Sequence, residues 1–553
     1  MKIINKKIGL EFFFIFLLSC GVAVFNVMQP LLSSSLLDSA VTGNLEEIIS
    51  NIIKLLVVTV LLLIVEFLRK LSLSDYKKKL TDILREQLLN GILSKSYNEF
   101  NSINSQKYIS LFNNEVNEIV DNYYLLLIDI FFSIFSIFIY SISLISLHPI
   151  LAIAVFFTNF LPIVVPRIFR KSLQDKKGKY LDLLQKYNVK VGDAIAGYDV
   201  IKTNLATNVI QKITNEACRK ATKMCRSYEN KTSLCQIITG LFSYINYLGI
   251  IIIGVYLIYK GILTPGGLLA AVSVSELLVY PVTSISYQIN SFSAVSGVRK
   301  NIFSQYMNHE RQSENKKNVI SEINEIEIKN LSYYYGEQIV LKSLNFKLEK
   351  GKKYLVYGLN GSGKSTLFKI LSKMYDNYSG EILVNGIELK NISEESFYAN
   401  TGFVLQSPFM FNDTLIDNIT LYRSQYSNEN IENIINQVRL GRIKENIFNK
   451  SEYIDSENNI SGGEKQKINM ARILIQNKKT LFLDEATAAF DSKSNKIILT
   501  NLLKNKDLMI VNIEHKVSKE MLDLYDEIIV LEHGNIVKIV KTTEEKEEFA
   551  YAL

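Results

Sequence analysis

Long apolar runs occur only in the first three hundred residues of the chain. A helix needs about twenty apolar residues to cross the hydrocarbon core of a bilayer. The pattern therefore predicts six membrane-spanning helices, at residues 9–31, 52–68, 123–147, 149–169, 238–259 and 262–286. The first run is too long for the apolar region of a secretory signal, so we expect it to remain in the membrane.

Basic residues fall on alternate loops between these spans. The loops after the first, third and fifth spans hold almost no Lys or Arg. The loops after the second, fourth and sixth spans carry Arg69, Lys70, Lys77, Lys78, Lys79, Arg167, Arg170, Lys171, Arg299 and Lys300. Because positive charge marks cytoplasmic loops, both termini are predicted to lie in the cytoplasm of a multi-pass protein of the cell membrane.

The periodicity changes after the sixth span. The two long cytoplasmic loops have a charged, heptad-like pattern, which indicates helices that continue out of the membrane. Beyond the polar stretch "NHERQSENKKNVISEINE", short β-rich segments alternate with helices, as in an α/β domain. The sequence therefore predicts a helical transmembrane domain at 1–307, a linker at 308–325 and an α/β domain at 326–553.

Composition fits this division. Hydrophobic residues make up 48% of the chain, and 62 Lys and Arg against 55 Asp and Glu give a net charge of +7. A membrane protein collects positive charge on its cytoplasmic loops, and no basic block with interleaved aromatic residues stands out, so we expect no nucleic-acid partner. The four cysteines form no CxxC pair, which argues against a zinc site or a disulfide framework.

A phosphate-binding loop opens the second domain. The segment "YLVYGLNGSGKSTLFKIL" runs from an apolar strand through a glycine-rich loop into a helix, the context that this loop requires. Glycines let backbone N–H groups surround the phosphates, Lys364 neutralises their charge, and the Ser365 hydroxyl binds Mg2+. The predicted nucleotide-binding positions of the loop are Gly358, Asn360, Gly361, Ser362, Gly363, Lys364, Ser365 and Thr366.

Two carboxylates follow a later apolar strand. In "KTLFLDEATAAFD", Asp484 and Glu485 stand at the carboxyl end of the strand, where both can approach a nucleotide. Such a pair is commonly only a solvated strand end. With a phosphate loop upstream, we interpret Asp484 as a metal ligand and Glu485 as the base that activates a water molecule.

The whole chain resembles an exporter-type ABC half-transporter, in which six membrane helices are fused to one ATP-binding domain. The segment "GFVLQSPFMFNDTLIDNI" resembles the family's Q-loop with Gln406, and "ISGGEKQ" resembles its LSGGQ loop. "AAFD" ends at Asp491 as the D-loop does, and "VNIEHKVS" contains a switch histidine, His515. "LSYYYG" resembles the adenine-stacking segment, with Tyr335 best aligned and Tyr333 or Tyr334 as alternatives.

The resemblance implies ATP and Mg2+ as cofactors and assigns roles. Glu485, His515 and Gln406 would be catalytic, and Ser365, Gln406 and Asp484 would hold the metal. In the family the Ser-Gly-Gly loop contacts ATP held by a second copy, so a dimer is implied. Ser461 and Gly463 would make that contact, and Gly462, Glu464 and Asp491 are further nucleotide-binding positions that the resemblance implies.

A homodimer is favoured over a heterodimer, because Glu485 and His515 are both present, whereas a degenerate partner usually loses one. The sequence also departs from the family pattern. Ile460 and Glu464 replace the usual Leu and Gln, which similar members tolerate. The segment "EYIDSENNISGG" is about two residues shorter than usual and lacks its glycine, which puts its coupling role in doubt.

The implied function is ATP-driven export of a small molecule, peptide or lipid by alternating access, with loops near 96–108 and 193–203 transmitting closure of the ATP-binding domains. A membrane-bound sensor ATPase and an importer with the exporter fold are the alternatives. Glu276, midway along the sixth span, is the candidate substrate contact, with helix packing or a water-facing role as rival interpretations. Weaker polar candidates in the spans are Asn26, Gln29, Asp129, Asn159 and Asn246.

Overall fold

The computed structural model describes residues 6–307, 318–440, 460–486, 490, 492–515, 517 and 519–552. The chain forms two compact units, one of residues 1–93 with 104–308 and one of residues 94–103 with 309–553. Most of the predicted linker, 308–317, lies outside the described residues, and the predicted domain boundaries stay predictions. Residues 94–103 belong to the second unit although they precede most of the first unit in the sequence.

The first unit consists of helices. In chain order the helices up to the second unit are α1 (Lys6–Thr42), α2 (Leu45–Leu93), α3 (Tyr97–Asn101, in the second unit), α4 (Ser105–Ser110), α5 (Val116–Ile119), α6 (Leu126–Leu147), α7 (Pro149–Ala196), α8 (Tyr198–Thr203), α9 (Thr207–Tyr259) and α10 (Pro265–Ile302). Short π-helical segments flank α5 and follow α10. The fold class, a helical membrane domain with an α/β domain, is therefore as predicted.

Five helical segments among the described residues are long and apolar enough to cross a membrane: Ile8–Thr42, Leu45–Leu93, Lys107–Leu147, Thr207–Tyr259 and Pro265–Met307. They contain the first, second, third and fifth predicted spans, and all of the sixth, 262–286, except its first three residues. The fourth predicted span lies in α7, a helix whose side chains at 157–163 are outside the described part of the chain, and it stays a prediction.

Three helices are much longer than a bilayer is thick. The helices α2, α7 and α9 contain 49, 48 and 53 residues. At about 1.5 Å per residue each extends more than 70 Å, over twice the hydrocarbon core of about 30 Å. The prediction that helices continue beyond the apolar runs is confirmed.

One end of α10 is fixed to α1 by a capping carboxylate. Asp38 accepts hydrogen bonds from the Gly266 backbone N–H at 2.8 Å and from the Thr264 hydroxyl at 2.7 Å. The negative charge satisfies free N–H groups at the first turn of α10. A Cβ atom on Gly266 would lie 2.2 Å from the Ser34 carbonyl oxygen, so only glycine permits this approach.

The second unit contains two sheets. A four-stranded antiparallel sheet has the order β2 (Gln338–Glu349), β1 (Glu325–Tyr335), β4 (Ser379–Val384) and β5 (Ile387–Glu388). A six-stranded sheet has the order β10 (Asn535–Val540), β9 (Glu527–Glu532), β3 (Lys353–Tyr357), β8 (Met509–Glu514), β7 (Thr480–Asp484) and β6 (Thr401–Val404). Its strands are parallel except β10.

Helices connect these strands. They are α11 (Lys364–Leu371), α12 (Glu394–Asn400), α13 (Leu415–Thr420), α14 (Asn428–Gln437), α15 (Gly462–Leu474), α16 (Ser492–Lys504), α17 (Lys519–Leu522) and α18 (Thr543–Ala552). Strands β3, β7 and β8 are buried along nearly their whole length, as parallel strands covered on both faces are. The carboxyl ends of β3, β8, β7 and β6 therefore meet at one edge, where α/β sheets bind ligands.

A buried arginine holds the segment that follows β6. Arg472 of α15 is 7% exposed and donates hydrogen bonds to the backbone oxygens of Phe409 and Asn418, each at 2.5 Å. It also donates to the Asn418 side-chain oxygen at 2.7 Å. Burial lowers the pKa of this guanidinium from its ordinary value. Each bond to a buried charged donor stabilises by about 1.5–3 kcal/mol, so Arg472 fixes this segment strongly.

We expect Arg472→Met to loosen residues 409–420 locally, because it removes the donor to the Phe409 carbonyl and to the buried Asn418 carbonyl. Amide hydrogen exchange of peptides from this segment, measured by mass spectrometry on the full chain, should accelerate by about tenfold or more. The matched control is Arg423→Met, since Arg423 lies in the same region but is exposed. Equal exchange rates in the two variants would contradict a holding role for Arg472.

Candidate active site

The phosphate loop joins β3 to α11 and requires glycine at two close approaches. A Cβ on Gly358 would lie 2.3 Å from the Leu531 carbonyl oxygen. Gly363 has φ +103°, a left-handed conformation that other residues rarely adopt, and its Cβ would lie 2.6 Å from Leu341. The loop backbone can therefore take this shape only with glycines here, which is the geometry that presents N–H groups to an anion.

Lys364 lies across the base of this loop. Its Nζ donates to the carbonyl oxygens of Gly358 at 2.6 Å and Leu359 at 3.0 Å, and the side chain is buried. Burial lowers the pKa of Lys364, while the nearby charges of Glu485 and Asp484 oppose that shift. A cation held beside two carboxylates and a glycine loop is suited to neutralise phosphate oxygens.

The other predicted loop positions follow the same turn. Ser362 and Thr366 are buried, whereas Ser365 is exposed at the start of α11. Asn360 and Gly361 are exposed on the outer side of the loop. The Ser365 hydroxyl is thus available to a ligand.

Asp484 ends β7 as a buried, unsatisfied carboxylate. It is 7% exposed, and within the described residues its Oδ1 has no hydrogen-bond partner. Burial raises its pKa to about 6, the Glu485 charge adds to this shift, and Lys364 and Lys369 oppose it. Hard oxygen ligands without a donor suit a cation such as Mg2+, so Asp484 and Ser365 fit the predicted metal.

Glu485 lies at the centre of three predicted catalytic residues. Its Oε2 accepts a hydrogen bond from Gln406 Nε2 at 2.7 Å, and its Oε1 lies 3.1 Å from His515 Nδ1. Its φ of +47° is left-handed, and its backbone N–H donates to the Ile513 carbonyl at 3.0 Å. This strained turn after β7 lets two consecutive carboxylates serve the same sheet edge, where a regular strand would point them to opposite faces.

The strand order explains why Gln406 and His515 both reach Glu485. His515 follows β8 and Gln406 follows β6, so the two strands that flank β7 each supply one partner for Glu485. Three side chains that are far apart in sequence form one cluster because their strands are adjacent and parallel.

The Ser-Gly-Gly loop (residues 460–464) begins α15. Ser461 is the N-cap and forms a capping box with Glu464: Ser461 Oγ accepts from the Glu464 N–H at 3.3 Å, and Glu464 Oε2 accepts from the Ser461 N–H at 3.0 Å. The Ser461 hydroxyl also donates to Glu464 at 2.8 Å. Ser461 and Gly462 are exposed, and Gly463 is half-buried. Glu464, a departure from the family pattern, thus completes the cap.

The aromatic candidate Tyr335 ends β1 and is 46% exposed. Its hydroxyl interacts with Thr366 of α11, so it lies beside the phosphate loop. Burial raises the pKa of this phenol. Tyr333 is buried, which leaves it no free face for a base, whereas Tyr334 is exposed.

Sequence reasoning missed one residue beside this cluster. Gln466 of α15 is buried, and its Nε2 donates to the backbone oxygens of Gln406 and Glu485, each at 3.4 Å. It thereby links the helix of the Ser-Gly-Gly loop to the catalytic cluster. Its position in "SGGEKQ" was visible, but a lone glutamine gives no signal of its own.

Three predictions fall outside this site. Asp491, and most of the shortened segment at 452–463, lie outside the described residues. Glu276 lies in α10 of the first unit, where it is exposed in the single chain.

Comparison with known proteins agrees with this geometry. Residues 12–282 match the model of the ABC transporter transmembrane region, and residues 341–488 match that of the ABC transporter family. The microcin-J25 export ATP-binding/permease protein of Escherichia coli is 29% identical over 394 residues, 68% of this chain and 66% of that protein. The mitochondrial iron-sulfur clusters transporter of Candida albicans is 34% identical over 220 residues, 39% of this chain and 29% of that protein.

The chain thus matches less than two thirds of the length of each of these relatives. A solved structure of a bacterial Atm1-family ABC exporter with ATP bound has the same fold, with a TM-score of 0.77 over 99% of this chain and 98% of that chain at 19% identity. Since a transmembrane match and an ATP-binding match follow each other in one sequence, the chain belongs to the ABC transporter family, whose members couple ATP hydrolysis to transport across a membrane.

Proposed function

We propose that this chain is one half of a homodimeric exporter that hydrolyses ATP in the cytoplasm to move a substrate out of the cell. The observation that carries the proposal is the cluster of Glu485, Gln406 and His515 beside the phosphate loop. A degenerate half-transporter would lack at least one of these three residues. The distribution of Lys and Arg among the loops supports cytoplasmic termini.

In this mechanism the loop N–H groups and Lys364 bind the ATP phosphates. Asp484 and Ser365 would hold Mg2+, which supplies charge neutralisation on the phosphate oxygens. Glu485 accepts the proton of the water that attacks the γ-phosphorus, and the bond to the ADP oxygen breaks. Gln406 and His515 hold the Glu485 carboxylate in position for that transfer.

Transport is tested with inside-out membrane vesicles. The expected result is ATP-dependent uptake from a panel of peptides, lipids and drug-like cations, lost in Lys364→Ala. ATPase activity stimulated by a compound that never accumulates in the vesicles would favour a sensor ATPase instead. Accumulation only in right-side-out vesicles would favour an importer.

The dimer proposal is supported by an exposed apolar segment. Around α8, Ile195, Val200 and Leu205 are exposed in the single chain, Leu205 to 90%. Apolar side chains clustered at the turn between two long helices favour a protein partner. We propose that a second copy supplies that partner, and that the Ser-Gly-Gly loop of each copy contacts ATP on the phosphate loop of the other.

A polar stripe on α10 supports Glu276 as a substrate contact. At alternating spacings of three and four residues, one face of α10 presents Ser273, Glu276, Tyr280, Thr283, Tyr287 and Asn290, all at least partly exposed in the single chain. The stripe is about 25 Å long, close to the thickness of the hydrocarbon core. On α2, exposed residues at the same alternating spacing are apolar instead: Leu56, Val60, Leu63 and Phe67.

This contrast suggests that lipid contacts the exposed face of α2 and that a polar chamber lies beside the exposed face of α10. Asp129 has Arg69 as a charged neighbour, whereas no salt bridge pairs Glu276 with a described residue. Asn246 donates to Ser275 at 3.1 Å in a buried contact between α9 and α10, and Gln29 donates to Thr59 at 3.1 Å. These two amides are engaged in helix packing, so Glu276 remains the strongest candidate for a cationic ligand. The Asn159 side chain lies outside the described residues.

We expect Glu485→Gln to retain ATP binding and lose hydrolysis, because the amide keeps the shape but cannot accept a proton. Steady-state turnover should fall by about 10²-fold or more. The control is Glu532→Gln, an exposed glutamate at the end of the nearby strand β9, which should hydrolyse ATP normally. Turnover above about a tenth of wild type would reject Glu485 as the main base.

Co-expression tests the shared site. Lys364→Ala and Ser461→Arg should each abolish ATPase activity alone, yet a mixture of the two chains should regain part of it. In a mixed dimer one site combines both defects, and the other combines two intact halves. If the Ser-Gly-Gly loop served its own chain's ATP, every site would be defective. A mixture no more active than the single variants would therefore count against this arrangement.

Glu276→Gln should change which compounds stimulate the ATPase while leaving basal turnover unchanged. A carboxylate at bilayer depth favours a cationic ligand, so stimulation by cations should fall relative to neutral compounds. Glu66→Gln is the matched control, because Glu66 already pairs with Lys70 at 3.0 Å on α2. Identical stimulation profiles for all three proteins would assign Glu276 to helix packing.

A further inference from the structure

Tyrosine rings meet in the turn between α11 and β4. Tyr375 stacks on Tyr333 with ring centroids 5.4 Å apart and planes within 4°. Its hydroxyl accepts a hydrogen bond of 2.9 Å from Tyr335, the candidate adenine platform. Tyr375 therefore fixes the position of Tyr335 through both a direct bond and a shared neighbour.

The same turn holds the short helix α3. The ring of Tyr97 lies edge-on to Tyr375 with centroids 6.2 Å apart. The next residue, Asp376, accepts a hydrogen bond of 2.9 Å from Asn98 Nδ2. A cavity of about 140 Å³ between α3 and the turn is lined by Tyr97, Asn98 and Tyr375 among others, so this contact is not closely packed throughout. Two adjacent residues of one turn thus hold α3.

The turn is also tied to the phosphate loop through α11. The Tyr375 N–H donates to the Lys369 carbonyl at 3.1 Å, and Lys369 Nζ lies 5.5 Å from the centre of the Tyr375 ring. The helix α11 starts at Lys364 of the phosphate loop. The Tyr375 side chain therefore connects three parts: the phosphate loop by way of α11, the Tyr335 platform, and α3.

We propose that Tyr375 is a positioning residue that couples binding of the ATP base to the seating of α3. This inference rests on the proposed function, since it assumes that ATP binds on the phosphate loop. The Tyr375 hydroxyl holds the Tyr335 ring ready for the base, and the Tyr375 ring supports Tyr97. A base stacked on Tyr335 therefore favours the arrangement in which α3 is seated.

Such coupling is reciprocal. If the bound base stabilises seated α3, then seated α3 must tighten binding of the base by the same factor. Side chains of α3 that are not part of the phosphate site should thus change ATP affinity. Typical couplings between two sites are about 5-fold to 150-fold in affinity, which is large enough to measure.

The test uses the full chain and the non-hydrolysable analogue adenylyl imidodiphosphate. Tyr375→Phe keeps the ring but loses the hydroxyl, and Asn98→Ala loses the bond to Asp376. Each should weaken binding of the analogue by about 5-fold. The double variant should be no weaker than the more affected single variant, because both changes break one connection. Binding of inorganic tripolyphosphate, which has no base, should not change.

The controls are matched in residue type and place. Asn101→Ala removes a side chain of α3 whose bond among the described residues is to the Tyr97 backbone oxygen at 2.9 Å, and Tyr378→Phe removes a hydroxyl that bonds Glu388 at 2.6 Å. Both should bind the analogue as wild type does. Unchanged affinity in the test variants, independent losses that multiply, or an equal loss for tripolyphosphate would each overturn the coupling. A wild-type chain that binds no analogue would instead overturn the proposed function and this inference with it.

Discussion

Two consecutive carboxylates at the end of a buried strand are the constraint around which the ATP-binding unit is arranged. Burial and mutual repulsion raise the pKa of Asp484 to about 6, so this pair is costly unless cations and donors surround it. The sheet supplies them from each side: Lys364 after β3, Gln406 after β6 and His515 after β8. The strand order brings residues from three separate segments to one pair of acids, of which Glu485 is bonded by Gln406 and contacted by His515.

Much of this could be predicted from the sequence, because local patterns carry it. The strand, glycine loop and helix around Lys364 are contiguous, and the acids of β7 directly follow an apolar run. Family resemblance supplied Gln406 and His515, whose strands are not adjacent in sequence. Arg472 and Gln466 could not be predicted, since their roles depend on contacts with backbone oxygens up to 63 positions away. Every residue type carries a backbone oxygen, so a side chain that bonds to the backbone has no complementary residue type that could be recognised in the sequence.

In the membrane domain, apolar run length predicted the spans but not the full helices. Charged residues end the apolar runs of α2 and α9 without ending the helices, because Lys, Glu and Arg are good helix formers. The length of an apolar run also does not show how polarity is distributed around the helix. The exposed faces of α2 and α10 differ in polarity at the same helical spacing. The helix α3 has only five residues, so no local pattern reveals the grouping of residues 94–103 with the second unit; the family resemblance alone pointed to the loop near 96–108.

The capping box of Ser461 gives the proposed dimer a further property. In the single chain, the Ser461 N–H and hydroxyl both bond to the Glu464 carboxylate, so the start of α15 is stable without a partner. A phosphate that binds there must take over these donors, and its negative charge repels the carboxylate. In the proposed dimer, Glu464 would therefore turn away as ATP on the other copy arrives. The helix start would then exchange an internal anion for a phosphate, which keeps the loop folded when the copies separate.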